Sequence, residues 1–383
     1  MMTVNPGLAG VVAFDTEIAE PDRDGGALRY RGVDIRSLAG TVSFGDVWGL
    51  LADGSFESPL LPARLAERRR SSRLPGMSEP LRLAGLTGDA RVDGQAAAAA
   101  LGLRPLIDLS DAQARDDVAT ASAAMLAVVA ASARGDELPP VPERRIAEGQ
   151  DVTSQFLIRW RGEPDPRHVA AIDRYWVCAA EHGMNASTFT ARVVASTGAD
   201  VGACLSAAAA ALSGPLHGGA PARALGMVAA VEKGGDARAY VKKVLDGGQR
   251  LMGFGHAVYR AEDPRARILR EAARELGAPR YEVALELERA ALAELHERKP
   301  DRVLETNVEF WAAIVLDFAE VPVELLAAMF TCARTAGWSA HILEQKRLAK
   351  IIRPSADYVG PADRAPADLP GWEDAVKRFA TSR

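Results

Sequence analysis

A mainly α-helical fold with a short N-terminal β-ribbon is predicted by three observations. Alanine- and leucine-rich segments with apolar residues at helical spacing recur from Ala96 onward. Strand-like patterning is confined to the first few dozen residues, and no repeat of fixed period is visible. The chain has 383 residues, 48% of them hydrophobic, enough to bury a large core and by size to divide into two or three domains.

Taken in order, Gly10-Val-Val-Ala-Phe-Asp-Thr-Glu-Ile and Leu28-Arg-Tyr-Arg-Gly flank an Asp-Arg-Asp-Gly-Gly turn and read as the ribbon. Residues 59–93 are rich in arginine, proline and glycine, which predicts a surface connection without chemistry. Helical spacing then covers 117–133, 168–180 and 186–196, followed by an alanine-rich buried helix entering a loop over 201–216. It continues through 221–245, 264–276, 280–298 and 308–319. Pro322 suits the first turn of a further helix, continued in a second stretch through Gly337 toward Lys346. Beyond Pro354 the tail reads as irregular.

Composition excludes some functions. With 46 basic and 51 acidic residues interspersed, the net charge of −5 leaves no broad footprint for nucleic acid or an anionic membrane, so an anionic ligand must be met by local arginines. Cys178, Cys204 and Cys332 are too few and too widely spaced for a disulfide framework or a Cys-x-x-Cys metal site, and a reducing cytoplasm is the expected compartment. The N-terminus has no secretory pattern, and the uncharged stretch 201–216 is short for a membrane span.

Three histidines lie among glycines or small residues: His182 in Glu-His-Gly-Met-Asn-Ala-Ser-Thr, His217 in Gly-Pro-Leu-His-Gly-Gly-Ala and His256 in Gly-Phe-Gly-His-Ala-Val-Tyr. Imidazole exchanges protons near neutral pH, and glycine lets a ligand approach. A histidine at a helix end can instead cap carbonyls. Arg265, after Asp263-Pro264, falls on a helix's first turn, where its fork could hold a carboxylate, the alternative being a solvated charge beside Arg267. Arg334 sits among small and apolar neighbours and requires an anionic partner. Arg353, before Pro354, is either a ligand or a tail charge. Glu309, in Thr-Asn-Val-Glu-Phe-Trp, is an acid in apolar surroundings that would raise its pKa or hold it as a base, or else a charge favoured at a helix N-terminus. His168, His296 and His341 read as surface or packing residues.

Together with Thr-Asn-Val-Glu-Phe, Ala-Arg-Thr-Ala-Gly-Trp and Met-Gly-Phe-Gly-His-Ala-Val-Tyr-Arg-Ala-Glu-Asp-Pro-Arg, these motifs resemble, in order and over nearly the whole chain, those of citrate synthases. The opening Gly-Leu-Ala-Gly-Val-Val-Ala-Phe-Asp-Thr-Glu-Ile and Tyr-Arg-Gly-Val-Asp-Ile are similar to the short bacterial form, particularly the actinobacterial type called citrate synthase 2. The resemblance implies a two-domain helical fold: a large domain of residues 1–217 and 315–383, and a small domain of 218–314 that closes over the active site. It further implies a homodimer and an acyltransferase of the tricarboxylic acid cycle. That enzyme condenses acetyl-CoA with oxaloacetate and hydrolyses citryl-CoA to citrate and CoA, with no metal or redox cofactor.

By the same resemblance Glu309 removes a methyl proton from acetyl-CoA, His217 supports the enol oxygen and His256 activates the oxaloacetate carbonyl. His182, Arg265, Arg334 and Arg353 would hold the dicarboxylate, Arg353 from across the dimer. Leu251, Gly253, Phe254, Gly255 and Arg260 would contact CoA. The chain departs from the family pattern at Glu309, where aspartate is usual, and in the following Phe310-Trp311-Ala312-Ala313. It departs also at Ala257, where many bacterial members have arginine, and at Pro221-Ala222-Arg223. A 2-methylcitrate synthase using propionyl-CoA, and a weakly active paralogue binding CoA or dicarboxylate, are the alternatives.

Overall fold

The computed structural model describes residues 6–8, 10–22, 24, 26–60, 87–163, 165–214, 217, 221–255, 259 and 261–381. The chain divides into two units, Met1–Ile351 and Ile352–Arg383.

In the first unit a three-stranded antiparallel sheet, β1 (Ala19–Asp22), β2 (Ala27–Tyr30) and β3 (Val33–Asp34), precedes the helices. The expected first strand, 10–18, is displaced toward the turn. Pairing runs from Asp22↔Ala27 to Ala19↔Tyr30, so the partner strand ends before residues 10–18 could join it. Tyr30, wholly buried, fastens the ribbon to the helices by donating to the Val177 carbonyl at 3.0 Å.

The helices are α1 (Phe44–Asp53), α2 (Ala90–Ala99), α3 (Asp111–Arg134), α4 (Glu143–Ile146), α5 (Val152–Arg161) and α6 (Pro166–Ala179). They continue with α7 (Ala186–Ser196), α8 (Val201–Leu212), α9 (Pro221–Gly234), α10 (Ala237–Asp246), α11 (Pro264–Leu276) and α12 (Tyr281–Arg298). Last in this unit are α13 (Val308–Phe318) and α14 (Leu326–Leu348).

Local chemistry sets most boundaries. Side chains of Ser43, Ser110, Asp151 and Asn185 cap the first turns of α1, α3, α5 and α7. Gly277, in the left-handed region, ends α11. The connection expected over 59–93 gives way to α2 because Asp89 accepts from the Arg91 and Val92 amides and starts a helix there; residues 61–86 lie outside the description. The single helix expected over 221–245 is two, broken by Gly234-Gly235 before the Asp236 cap of α10. The helix after 201 stops at Leu212, and the two stretches after Pro322 form one continuous α14.

The core is organised around α14. It is buried along most of its length, polar residues such as Arg334 and His341 included, and packs against α1, α3, α6, α7 and α8. A second group joins α9 to α13, α10 to α12, and α11 to α13. Helix α6 belongs to both groups, touching α14 on one side and α11 and α13 on the other, so its C-terminal end emerges where the groups meet. Among the described residues, α3 alone is long and apolar enough to cross a membrane, and it is packed against α2, α5 and α14.

The second unit departs from the expectation of an irregular tail: it contains helix α15, Trp372–Thr381. Trp372, Val376 and Phe379 fall at i, i+4 and i+7, an apolar stripe hidden from the sequence reading by the proline- and glycine-bearing stretch before it.

Candidate active site

A cleft of about 730 Å³ opens where the two helix groups meet. Tyr175 and Ala179 reach it from the end of α6, His182 and Asn185 from the turn into α7, His217 from the segment after α8, Arg265 from α11, Glu309 and Ala312 from α13, and Phe330 and Arg334 from α14. The structure therefore brings together five of the residues singled out by sequence: His182, His217, Arg265, Glu309 and Arg334. His256 and Arg260 lie outside the described residues. Arg353 is an exposed residue of the second unit.

Three helix N-termini, those of α7, α11 and α13, meet at this cleft, each with a capping side chain that fixes its first turn. Their amide dipoles favour negative charge in the space between them. The two arginines add full charges. Arg265 is 4% exposed and forks onto Asp263, with Nε donating to Oδ1 at 3.0 Å and Nη2 to Oδ2 at 2.7 Å. Burial opposes its charge, but the Asp263 carboxylate outweighs that and holds the Arg265 pKa above its ordinary value. Asp263 also accepts from the Arg265 amide and from the Val308 amide, tying α11 to the start of α13. Arg334, 2% exposed, donates from Nε to the Ala179 carbonyl at 2.8 Å and lies over the Phe330 ring.

Glu309 is the second residue of α13, its amide capped by the Asn307 Oδ1 at 3.0 Å. Burial pushes its carboxyl up to about 7 despite the attraction of Arg265. The His217 pKa is lowered by burial and by the charge of Arg334, which favours the neutral ring. His217 Nε2 is 3.1 Å from the Ser187 hydroxyl, which also meets Trp338 Nε1 and Asn185 Oδ1. His182 Nε2 is 3.0 Å from the Tyr259 hydroxyl.

The segment of Leu251, Gly253, Phe254 and Gly255 is stitched to the approach of α13. Gly255 N–H donates to Glu305 O at 2.7 Å, Asn307 N–H to Gly253 O at 2.9 Å, and the Asn307 amide to Gly255 O at 2.9 Å. Gly253 and Gly255 both have positive φ, and a Cβ on Gly253 would overlap Phe310. The space freed by Gly253 is thus occupied by Phe310, and Leu251 is buried.

Sequence reasoning missed Asp263, Asn185, Ser187, Asn307 and Tyr259. The cap pattern of an Asx residue before a helix was the available signal for Asp263, Asn185 and Asn307; nothing local marks Tyr259. Of the remaining histidines, His168 packs edge-on against Phe318, His296 is exposed beside Glu305, and His341 is wholly buried. Among the described residues no group of three or more His, Cys, Asp or Glu side chains could hold a metal ion.

A helical scaffold that presents an acid with a raised pKa, a neutral imidazole and two buried guanidinium groups to one cleft defines an acid–base enzyme for anionic substrates. The family model described as "Citrate synthase, C-terminal domain" matches residues 7–355, and the chain belongs to the citrate synthase family. It is 64% identical over 373 residues to the Mycobacterium tuberculosis protein named "Putative citrate synthase 2", covering 96% of each chain. It is 31% identical over 389 residues to the 2-methylcitrate synthase of Shewanella oneidensis, covering 94% of this chain and 95% of that one. Among solved structures it is similar to the citrate synthase of Thermoplasma acidophilum in ternary complex with carboxymethyl coenzyme A and oxaloacetate. That match has a TM-score of 0.78 and 25% identity, and covers 95% of this chain and 98% of that one.

Proposed function

We propose that the cleft condenses acetyl-CoA with oxaloacetate and hydrolyses the resulting citryl-CoA to citrate and CoA. The observation that carries this reading is the convergence of His182, His217, Arg265, Glu309 and Arg334 from separate segments on one cleft. Glu309 takes a proton from the acetyl methyl, and its raised pKa matches a base working near neutral pH. Neutral His217 donates to the developing enol oxygen, a charge-stabilising contact. The carbon then attacks the oxaloacetate carbonyl, whose oxygen is met by His256. Arg265, Arg334 and His182 hold the two carboxylates. Water attacks the thioester of citryl-CoA, and CoA leaves as thiol.

His217 can donate from Nδ1 only if its Nε2 accepts, which requires the Ser187 hydroxyl to turn its proton from Asn185 to the imidazole. Ser187→Ala is therefore expected to lower kcat by about tenfold to a hundredfold with little change in KM for oxaloacetate. An unchanged kcat would remove Ser187 from this role.

The remaining assignments complete the proposal. Residues 218–314 form the closing small domain, the segment 251–255 with Arg260 meets CoA, and Arg353 from a second copy supplies the third arginine. The three thiols are free and buried, in keeping with a reduced cytoplasm. Acyl preference turns on one methylene, worth about 1 to 3 kcal/mol. The deciding measurement is CoA release with oxaloacetate and either acetyl-CoA or propionyl-CoA. A larger kcat/KM for acetyl-CoA supports citrate synthesis, and the reverse order makes the protein a 2-methylcitrate synthase. Binding without turnover, with activity gained in Glu309→Asp, marks a paralogue of impaired geometry.

A further inference from the structure

Behind the cleft, Glu181 is wholly buried, and neither of its carboxylate oxygens receives a hydrogen bond of ordinary geometry. His341 Nε2 lies 3.4 Å from Oε1, and the His182 backbone also favours the ionised carboxylate. His341 is itself wholly buried, with Nδ1 3.0 Å from Arg192 Nη1. A guanidinium can only donate, so Nδ1 accepts and the ring proton belongs on Nε2, facing Glu181. Arg192 is held in turn by Glu344 and by Gln345 Oε1. Helix α14 leaves room for this carboxylate at Gly337: a Cβ there would overlap Glu181 Oε2. The Gly337 amide donates to the Ala180 carbonyl at 3.1 Å, fixing the chain beside it.

Burying an ionised carboxylate is costly unless its charge is used. Arg265 has Asp263 as its direct partner, whereas among the described residues no carboxylate stands at ion-pair distance from Arg334. The two groups are neighbours nonetheless: Arg334 Nε donates to the carbonyl of Ala179, two residues before Glu181, and Gly337, which faces the Glu181 carboxylate, lies three residues after Arg334 on α14. Burial lowers the Arg334 pKa, and the largest attraction opposing it comes from Glu181. Burial likewise opposes charge on Glu181, and His341 and Arg334 overcome it.

We propose that Glu181, held by His341 in the space left by Gly337, is the counter-charge of Arg334 and a positioning residue that keeps this guanidinium ready in the empty cleft. A substrate carboxylate on Arg334 then takes over the same balancing role from the opposite side. Without Glu181 the free protein carries an uncompensated buried cation, which anion binding corrects. Loss of Glu181 must therefore weaken the free state more than the liganded one.

Thermal melts of four proteins test the charge coupling: wild type, Glu181→Gln, Arg334→Gln and the double variant. Each single change is expected to lower the midpoint by about 4 °C, and the double variant to lie no lower than either single. Additive losses overturn the proposal. If Glu181→Gln fails to fold, a folded double variant supports the coupling, and an unfolded one overturns it. The ligand arm rests on the dicarboxylate reading above. Oxaloacetate is expected to raise the midpoint more in Glu181→Gln than in wild type, and Glu181→Asp, which keeps the charge, to return to the wild-type increment. A purely structural Glu181 would give equal increments in all three, which overturns the proposal. If oxaloacetate leaves the wild-type midpoint unmoved, the dicarboxylate reading falls, and the variant cycle alone still decides the role of Glu181.

Discussion

Glu309→Gln is expected to lower kcat by about a thousandfold while leaving oxaloacetate affinity within a few-fold of wild type. The amide has the shape of the acid and keeps the capped first turn of α13, so the arginines and His182 are undisturbed. It cannot accept the methyl proton. In wild type the base must be ionised, and burial has pushed its carboxyl up to about 7. The rate should therefore fall about tenfold for each pH unit below that value and level off above it, a limb absent from the residual activity of the variant.

The same residue affects stability in the opposite sense. Its folded pKa of about 7 lies above the ordinary 4.5, so between those values the native protein binds a proton that the unfolded chain has released. Stability is fully present below pH 4.5 and is lost as pH rises through about 7. The loss is on the order of 3 kcal/mol, taken from a difference of roughly 2.5 pKa units. Glu309→Gln escapes it, and should melt higher than wild type at pH 8 but not at pH 4.5. Steady-state pH profiles and melts at the two pH values check both halves. A variant that is inactive and also less stable at pH 8 would indicate a disrupted fold rather than a missing base.

Asp263→Ala carries the second large effect, a loss of about 3 to 5 kcal/mol of folding stability and a KM for oxaloacetate raised beyond measurement. One carboxylate accepts four N–H bonds here: two from the Arg265 fork, one from the Arg265 amide and one from Val308 at the start of α13. Removing it leaves the buried Arg265 guanidinium without its direct carboxylate partner and unties the two helices that carry Arg265 and Glu309. The pairing of Asp263→Leu with Arg265→Met should recover much of the stability, since an apolar pair of similar volume avoids desolvation, yet remain inactive. Urea unfolding of both proteins measures the difference. A single variant as stable as wild type would show that Arg265 has another partner able to replace Asp263.

The candidate site was more legible than its supports. Histidine beside glycine, arginine among alanines and an acid in an apolar helix start are anomalies of composition, and each marked a residue that lines the cleft: His182 and His217, Arg334, and Glu309. Helices at 186–196 and 264–276 were readable to the residue from apolar spacing, although the Asx caps that fix their starts went unread. The supports were not legible because their meaning depends on distant partners. Glu181 reads as the acid before a histidine, and only the fold sets it against His341 and Gly337. The first strand was misplaced because alternation alone does not fix register, whereas the pairing of Asp22 with Ala27 does. The tail helix was missed because its apolar stripe covers only three residues.

The seam between residues 253–255 and 304–310 bears on how this site can change through descent. Gly255 and Asn307 are 52 positions apart, yet they share a hydrogen bond, and Gly253 has room only for a neighbour shaped like Phe310 at its present place. A crossover falling between the two segments would pair a loop from one parent with a helix start from another, displacing the acid on that helix even though every reactive side chain was inherited intact. Viable chimeras should accordingly draw both segments from a single parent, and the two stretches should drift as one heritable block despite their distance along the gene.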